Sequence, residues 1–182
     1  MSVASRYVAL LRGINVGRAK RVAMADLRAV LEGLGYSDVR TLLNSGNAVF
    51  TAPAVIRGDA GGRISKALAE RVGVSSRVTV LTAAELAAVV REFPFEGIAT
   101  DPTRTLVAFL ADPADRTRLM PLLKKDWGPD RLAIGTRVAY IWCSEGILAS
   151  RALEGLGREL GEGVTTRNYA TVTKLDRLAS GN

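Results

Sequence analysis

The sequence contains no histidine and only one cysteine, and each shortage removes whole classes of chemistry. Without histidine the chain has no Ser-His-Asp or Cys-His machinery, no imidazole general base and no histidine-ligated metal. The one cysteine, Cys143, excludes an intrachain disulfide and a multi-cysteine metal cluster. We therefore expect no metal and no cofactor, and no side chain stands out as catalytic.

Aromatic residues and long apolar runs are also scarce. Aromatics make up 5% of the chain, which argues against an RNA-binding surface of stacked aromatic rings. No stretch approaches the roughly 20 apolar residues of a membrane span, and the first apolar run stops at Arg12, too early for a signal peptide. Together with an unpaired thiol, these features predict a cytoplasmic protein with no membrane partner. The oligomeric state stays open, with a monomer favoured.

Acidic residues are scarce in the first half of the chain. Residues 1–81 hold 12 Lys and Arg against 5 Asp and Glu, whereas residues 82–182 hold 13 of each, so the first half carries the whole net charge of +7. The densest part contains Arg12, Arg18, Lys20 and Arg21. Such a surface suits nucleic acid, a phosphorylated ligand or an acidic partner. Codon bias of a GC-rich genome explains the excess equally well, because 20 of the 25 basic residues are Arg.

The composition, 48% hydrophobic and 24% charged over 182 residues, is that of a globular protein with one large or two small domains. Hydrophobic periodicity in the first half predicts a strand, a helix, two strands, a helix and a strand. This order is that of the ferredoxin-like split βαβ arrangement. An extra helix follows, begun by a capping box of Thr82 and Glu85 and ended by Pro94.

The second half repeats this order of elements without repeating the residues. Asp112 and Pro113 should cap a helix that Pro121 kinks or splits. The predicted core residues of that helix are Leu119, Leu122 and Leu123. A hairpin, a helix, a strand and a C-terminal helix follow. We predict an α+β fold of two ferredoxin-like (βαββαβ) units, residues 1–94 and 95–182, each followed by an extra helix and packed as one compact protein.

Five segments of the chain resemble, in the same order, a bacterial family known as domain of unknown function 1697. They are YVALLRGINVG (7–17), MADLRAVLEGLGY (24–36), SGNAVF (45–50), FPF (93–95) and TTRNYATVTKL (165–175). The resemblance implies a two-part α/β fold with ferredoxin-like units, and it implies no established activity. The chain departs from the family at Arg18, where relatives often carry glycine, so any role of Arg18 is particular to this protein.

Two groups of candidate ligand-binding residues lie in the first half. Arg12, Asn15, Gly17 and Arg18 occupy a strand-to-helix loop, where glycines allow backbone N–H groups to face an oxyanion and arginines add donors. The alternative is a tight turn with φ > 0 at the glycines and an Asn15 side chain bonded to the backbone. The second group, Ser45 and Asn47, either binds a polar ligand or holds a hairpin turn.

A third group lies near the C-terminus. If Asn168 caps the last helix, its side chain accepts from the N–H of Thr171. The remaining N–H groups, Arg167 and nearby threonine hydroxyls then form a candidate anion site at a helix N-terminus, which Lys174 extends by one turn. The alternative is a well-capped helix that packs on the second sheet.

Three functions fit these patterns. The first is a binding module for an anionic ligand, either nucleic acid or a phosphorylated small molecule. The second is a histidine-independent enzyme whose site lies between the two halves, lined by Arg12, Asn47 and Arg167. The third is a structural or protein-interaction role, in which the motifs only specify the fold. We favour the first, and convergence of the three groups in space would separate it from the third.

Overall fold

A computed structural model describes residues 5–181, and these residues form two compact units. The first unit contains the chain up to Leu86 together with the segment from Leu175 onward, and the second contains Ala87–Lys174. The first unit carries 13 basic and 7 acidic residues, and the second carries 12 and 11. The excess positive charge is therefore a property of the first unit. The boundary between residues 94 and 95 inferred from the sequence stays a prediction.

The first unit is built from four strands and two crossover helices. In chain order these are β1 (Ser5–Leu11), α1 (Met24–Gly33), β2 (Ser37–Leu42), β3 (Asn47–Ala52), α2 (Ala60–Val72) and β4 (Val78–Thr82). The sheet order is β2-β3-β1-β4, and every adjacent pair is antiparallel. This is the ferredoxin-like arrangement that the sequence predicts.

Both faces of β1, a central strand of this sheet, are buried from Tyr7 to Leu11. Side chains alternate between the faces of a strand, so one face of β1 contributes Tyr7, Ala9 and Leu11 to the same core as the helix residues Leu27 and Ile64. On the opposite face Val8 and Leu10 are also fully buried, whereas Arg6 is half-buried. Burial on both faces explains why the sequence of β1 from Tyr7 to Leu11 is a continuous apolar run.

Helix α3 (Ala83–Arg91) follows β4, and its capping box forms as predicted. The Thr82 N–H donates to Glu85 Oε2 at 2.8 Å, and the Glu85 N–H donates to Thr82 Oγ1 at 3.1 Å. Two backbone donors that the first helical turn leaves without partners are thereby satisfied. The local sequence was sufficient to place this helix start.

The second unit repeats the topology. Its elements are β5 (Thr105–Leu110), α4 (Arg116–Leu119), β6 (Arg131–Ile134), β7 (Val138–Trp142), α5 (Arg151–Leu160) and β8 (Val164–Asn168). The last helix, α6 (Tyr169–Ser180), begins in this unit and ends in the first. The sheet order is β6-β7-β5-β8, again antiparallel throughout. The fold is thus two ferredoxin-like units with additional helices, in agreement with the prediction. Between residues 5 and 181, no helix combines the length and the apolar character that crossing a membrane would require.

The first crossover of the second unit is split, and this corrects one predicted core residue. Short 3-10 segments, Pro113–Asp115 and Met120–Lys124, flank the single turn of α4. A 3-10 helix repeats every three residues, so Leu119 and Leu122 share the buried side. Leu123, predicted to be a core residue, is 43% exposed instead. The prediction assumed an α-helical period, which the segment containing Pro121 does not keep.

The last helix is joined to the first strand within the first unit. Arg6 Nη1 donates to the carbonyl of Ala179 at 3.1 Å. Carbonyls of the last helical turn have no partners within the helix, and a cation near them is favourable. The end of α6 is therefore anchored beside the start of β1.

Candidate functional site

Three chain segments meet where β1 ends. The Leu11 N–H donates to Gly46 O at 2.8 Å, and the Arg12 N–H donates to Arg77 O at 2.9 Å. The hydroxyl of Ser76 donates to Arg12 O at 2.9 Å. We call the segments joined here, residues 12–23, 43–46 and 75–77, the basic junction.

The side-chain amide of Asn15 holds two of these segments together. Its Nδ2 donates to Val22 O at 2.8 Å and to Asn44 O at 2.6 Å, while its Oδ1 accepts from the Val22 N–H at 2.9 Å. The Asn15 N–H also donates to Lys20 O at 3.0 Å. The amide is thus engaged in shaping the loop, so Asn15 acts on any ligand by positioning its neighbours.

Backbone strain concentrates in the same place. Four non-glycine residues have positive φ within residues 5–181, and three lie in the basic junction: Asn15 (56°), Lys20 (52°) and Leu43 (58°). The left-handed region is tolerated by asparagine but is costly for a bulky side chain such as leucine. The glycines at 13, 17 and 46 also have positive φ. Strain of this kind persists only where the surrounding structure enforces it, and it is enriched at functional sites.

The junction carries five basic residues and no acidic ones. Arg18, Lys20, Arg21 and Arg77 are exposed, and their side chains form no hydrogen bond or ion pair with any residue that the structure describes. Arg12 is half-buried and has interactions of its own. Asp26, the nearest acidic residue along the chain, lies in the first turn of α1 and forms no ion pair with them in the described part of the chain. The positive charge of this surface is therefore not neutralised locally.

Two aliphatic side chains are exposed in the junction. Val16 is 72% exposed and Leu43 is 56% exposed. Each follows or precedes a residue of the Asn15–Asn44 contact, so the hydrogen bond at 2.6 Å places their two segments side by side. Single exposed aliphatic side chains are ordinary on a protein surface. Leu43 is unusual because its side chain is mostly exposed and its backbone is also in the strained left-handed region.

The second predicted group has a structural role in the hairpin turn. Asn47 is fully buried, and its Nδ2 donates to Leu42 O and to Ser45 Oγ, both at 2.9 Å. Gly46 in the same turn has φ 80°, and a Cβ there would lie 2.7 Å from Leu11 Cβ. These observations match the turn interpretation of the group, and a contact of Ser45 with a ligand stays a prediction.

The third predicted group forms the start of α6. Asn168 Oδ1 accepts from the Thr171 N–H at 2.8 Å, so the predicted N-cap is confirmed. Arg167 Nη1 donates to Thr166 O at 2.8 Å, and burial lowers the pKa of the Arg167 guanidinium to about 10. This arginine remains charged at neutral pH, since even the lowered pKa lies well above 7. Thr171 is buried and Lys174 is exposed.

The structure brings the first two groups together and leaves the third in the other unit. Arg12, Asn15, Gly17 and Arg18 lie in the basic junction with Ser45, and Asn47 adjoins it. Arg167, Asn168, Thr171 and Lys174 belong to the second unit. Convergence of all three groups stays a prediction, and so does an enzymatic site between the halves.

One buried polar cluster was not found from the sequence. Asp130 is 7% exposed, and its carboxylate accepts from the Ser144 N–H at 3.1 Å and from the Ser150 hydroxyl at 2.7 Å. Ser150 in turn caps α5 by accepting from the Leu153 N–H. Burial raises the pKa of the neighbouring Cys143 thiol, which keeps it protonated and unreactive at neutral pH. The cluster fixes the loop before α5, and no local sequence pattern points to it because Asp130 and Ser150 lie 20 residues apart.

The aromatic residues of the FPF and TTRNYATVTKL segments pack against each other in the second unit. Phe93 stacks on Tyr169 with ring centroids 4.0 Å apart and meets Tyr140 edge-on at 6.0 Å. The Tyr140 hydroxyl donates to Val89 O at 2.8 Å, and desolvation raises the pKa of that hydroxyl to about 12. The FPF and TTRNYATVTKL segments therefore contribute to packing within the second unit. Within residues 5–181, no three His, Cys, Asp or Glu side chains are grouped as metal ligands.

Residues 4–140 match the family described as "Protein of unknown function (DUF1697)". The chain belongs to this family. The match covers the whole basic junction and ends inside β7, so it includes the complete first crossover of each unit. No curated protein matches this DUF1697 chain. Among solved structures, it is similar to the conserved bacterial protein SP0830 from Streptococcus pneumoniae, with 24% identity over 97% of this chain and 99% of that one and a TM-score of 0.77. At this identity the similarity shows a shared fold.

Proposed function

We propose that this protein binds an anionic, phosphate-bearing ligand through the basic junction of its first unit. The observation that carries the proposal is the set of four exposed cations, Arg18, Lys20, Arg21 and Arg77, without a partner among the described residues. Exposed cations elsewhere are often paired: Arg104 with Asp101, Arg118 with Asp115, and Arg158 with Glu154.

Unpaired positive charge on a shaped surface favours anion binding for two reasons. Cations that no acid neutralises raise the local potential and attract anions from solution. Arginine also offers a planar fork of donors that matches the oxygens of a phosphate group. The Asn15 hydrogen bonds hold residues 15, 22 and 44 in one arrangement before any ligand arrives, which reduces the entropy lost on binding.

The proposal is tested by measuring binding of inorganic tripolyphosphate and of a fluorescent nucleic acid at low salt, by calorimetry and by fluorescence anisotropy. The test variant combines Arg18→Ala, Lys20→Ala and Arg21→Ala. A matched control combines Lys124→Ala, Arg151→Ala and Arg177→Ala, which removes the same charge from exposed side chains outside the junction.

We expect the wild-type protein and the control to bind and the junction variant to lose at least about tenfold in affinity, because each phosphate contact contributes to a salt-dependent affinity. Equal losses in both variants would mean that net charge alone accounts for binding. Absence of binding to every anion at low salt would refute the proposal and favour the structural or protein-interaction role.

A further inference from the structure

The aromatic residues of the first unit all pack within its core or against it. Tyr7 stacks on Phe50 with ring centroids 5.8 Å apart, and Tyr36 packs on the same ring at 4.4 Å. These three are the only aromatic residues of the first unit. Proteins that bind single-stranded nucleic acids stack the bases on exposed aromatic rings. The unit that carries the charge therefore has no ring to offer an unpaired base.

The cations of the basic junction come from separate chain segments. Arg18, Lys20 and Arg21 stand on the loop after β1, whereas Arg77 precedes β4 and is brought to the same edge by its hydrogen bond to the Arg12 N–H. Exposed cations on two segments suit a ligand with several phosphates spread along a surface. A nucleic acid backbone repeats its phosphates along its length, so it can contact both segments at once.

The exposed aliphatics fit the same ligand. Val16 and Leu43 lie among the cations, on segments joined through Asn15. Some proteins that bind the minor groove of a duplex combine arginine and lysine with apolar side chains that enter the groove. A duplex presents phosphates over an extended surface, so it can contact these side chains together with the cations.

We infer that the anionic ligand is a nucleic acid duplex, contacted through its phosphate backbone without base stacking. This inference rests on the proposed function and names the ligand class for the same surface. Binding should be largely independent of sequence, because phosphate contacts carry no base information. It should also weaken steeply as salt rises, because bound cations release counterions from the duplex.

The test compares four probes on the full chain by anisotropy or sedimentation: a 20-base-pair DNA duplex, a duplex RNA of the same length, a 20-nucleotide oligothymidine strand, and vesicles containing anionic phospholipid. Each is measured over a range of salt concentrations with the wild-type protein, the junction variant and the charge-matched control. A second variant, Val16→Ser with Leu43→Ser, tests the aliphatic contact without removing charge.

We expect at least one duplex to bind about tenfold tighter than the single strand at equal nucleotide concentration, and the junction variant to lower the salt slope by about 2 to 3. The serine variant should weaken duplex binding about threefold with an unchanged salt slope. Tighter binding of the single strand, or binding to vesicles or tripolyphosphate only, would overturn this inference and leave the proposed function standing. Failure to bind any of these anions would overturn both.

Discussion

The two units form the same backbone hydrogen bonds at the end of their first strands, β1 and β5, but carry different side chains there. In the first, the Leu11 N–H donates to Gly46 O and the Arg12 N–H donates to Arg77 O; in the second, the Leu110 N–H donates to Arg137 O and the Ala111 N–H donates to Gly163 O, all at 2.8 to 2.9 Å. The backbone scaffold is thus shared. Where the first unit places Arg12, Gly46 and Arg77, the second places Ala111, Arg137 and Gly163, so one arginine stands in place of two.

The units also differ in how far the chain travels before its helix begins. Twelve residues, 12–23, separate β1 from α1, whereas residues 111 and 112 alone separate β5 from the 3-10 turn that Asp112 caps by accepting from the Ala114 N–H. Arginines after that turn are engaged locally: Arg118 pairs with Asp115, and Arg116 donates to Gly135 O. Since two residues suffice for the turn in the second unit, the topology alone does not require twelve. Ile14 and Val22 of the long loop are buried in the core, and its exposed cations are available for binding.

The largest expected effect is at the turn that supports the long loop. Gly46→Ala places a Cβ 2.7 Å from Leu11 Cβ and 2.8 Å from Ile14 Cδ1 at a residue with φ 80°, so we expect a loss of about 3 kcal/mol in the free energy of unfolding. A comparison change in the hairpin turn of the second unit, Gly135→Ala, has no positive φ, meets its nearest atoms at 3.3 Å and should cost under about 1 kcal/mol. Urea denaturation of both variants measures the difference, and equal losses would contradict it.

The second largest effect compares the two side chains that hold the chain after the first strand of each unit, Asn15 and Asp112. Asn15→Ala removes three side-chain hydrogen bonds and puts alanine at φ 56°, for an expected loss of about 2 to 3 kcal/mol. Asp112→Ala removes one capping bond in the second unit and should cost about 1 kcal/mol. Hydrogen exchange should show faster exchange at the Val22 N–H in the first variant alone. Asn15→Gly, which tolerates the backbone angle, separates the hydrogen bonds from the strain.

A smaller effect has the opposite sign. Leu43→Asn relieves a left-handed leucine and an exposed apolar side chain, so the protein should gain about 0.5 to 1 kcal/mol in stability. Leu148 in the second unit is fully exposed but has no positive φ, so Leu148→Asn should leave stability within about 0.5 kcal/mol of wild type. Thermal unfolding followed by circular dichroism compares the two. A loss at Leu43 would mean that its side chain stabilises the junction.

The smallest effect concerns surface charge. Arg118→Ala breaks a partly exposed ion pair with Asp115 and a hydrogen bond to Glu159 O, so it should cost about 1 kcal/mol, with less loss at high salt. Arg18→Ala breaks no contact with a described residue and should leave stability unchanged within about 0.5 kcal/mol. Denaturation at two salt concentrations measures both. A clear destabilisation by Arg18→Ala would assign that arginine to the fold and weaken its role in binding.

The elements that the sequence predicts well are those governed by local rules. The Thr82–Glu85 capping box and the Asn168 cap each depend on residues three apart, and both form as expected. The cations near Arg18 were equally visible. Contacts between residues that are distant in sequence are not predictable in this way. The Asn15 side chain donates to Asn44, which lies 29 residues further along the chain, and Arg77 meets Arg12 because β1 pairs with β4. No local pattern encodes such pairings.

The bond from Arg6 to Ala179 has a consequence for synthesis on the ribosome. The second unit is one continuous stretch, so all of its residues have been synthesised before Leu175 is added. The first unit, whose first strand is made earliest, lacks its last helical segment until residue 179 follows, 173 positions after Arg6. Domains fold as units while the chain grows, and contacts this distant in sequence form slowly. The half of the protein that is translated first is therefore the half that is completed last.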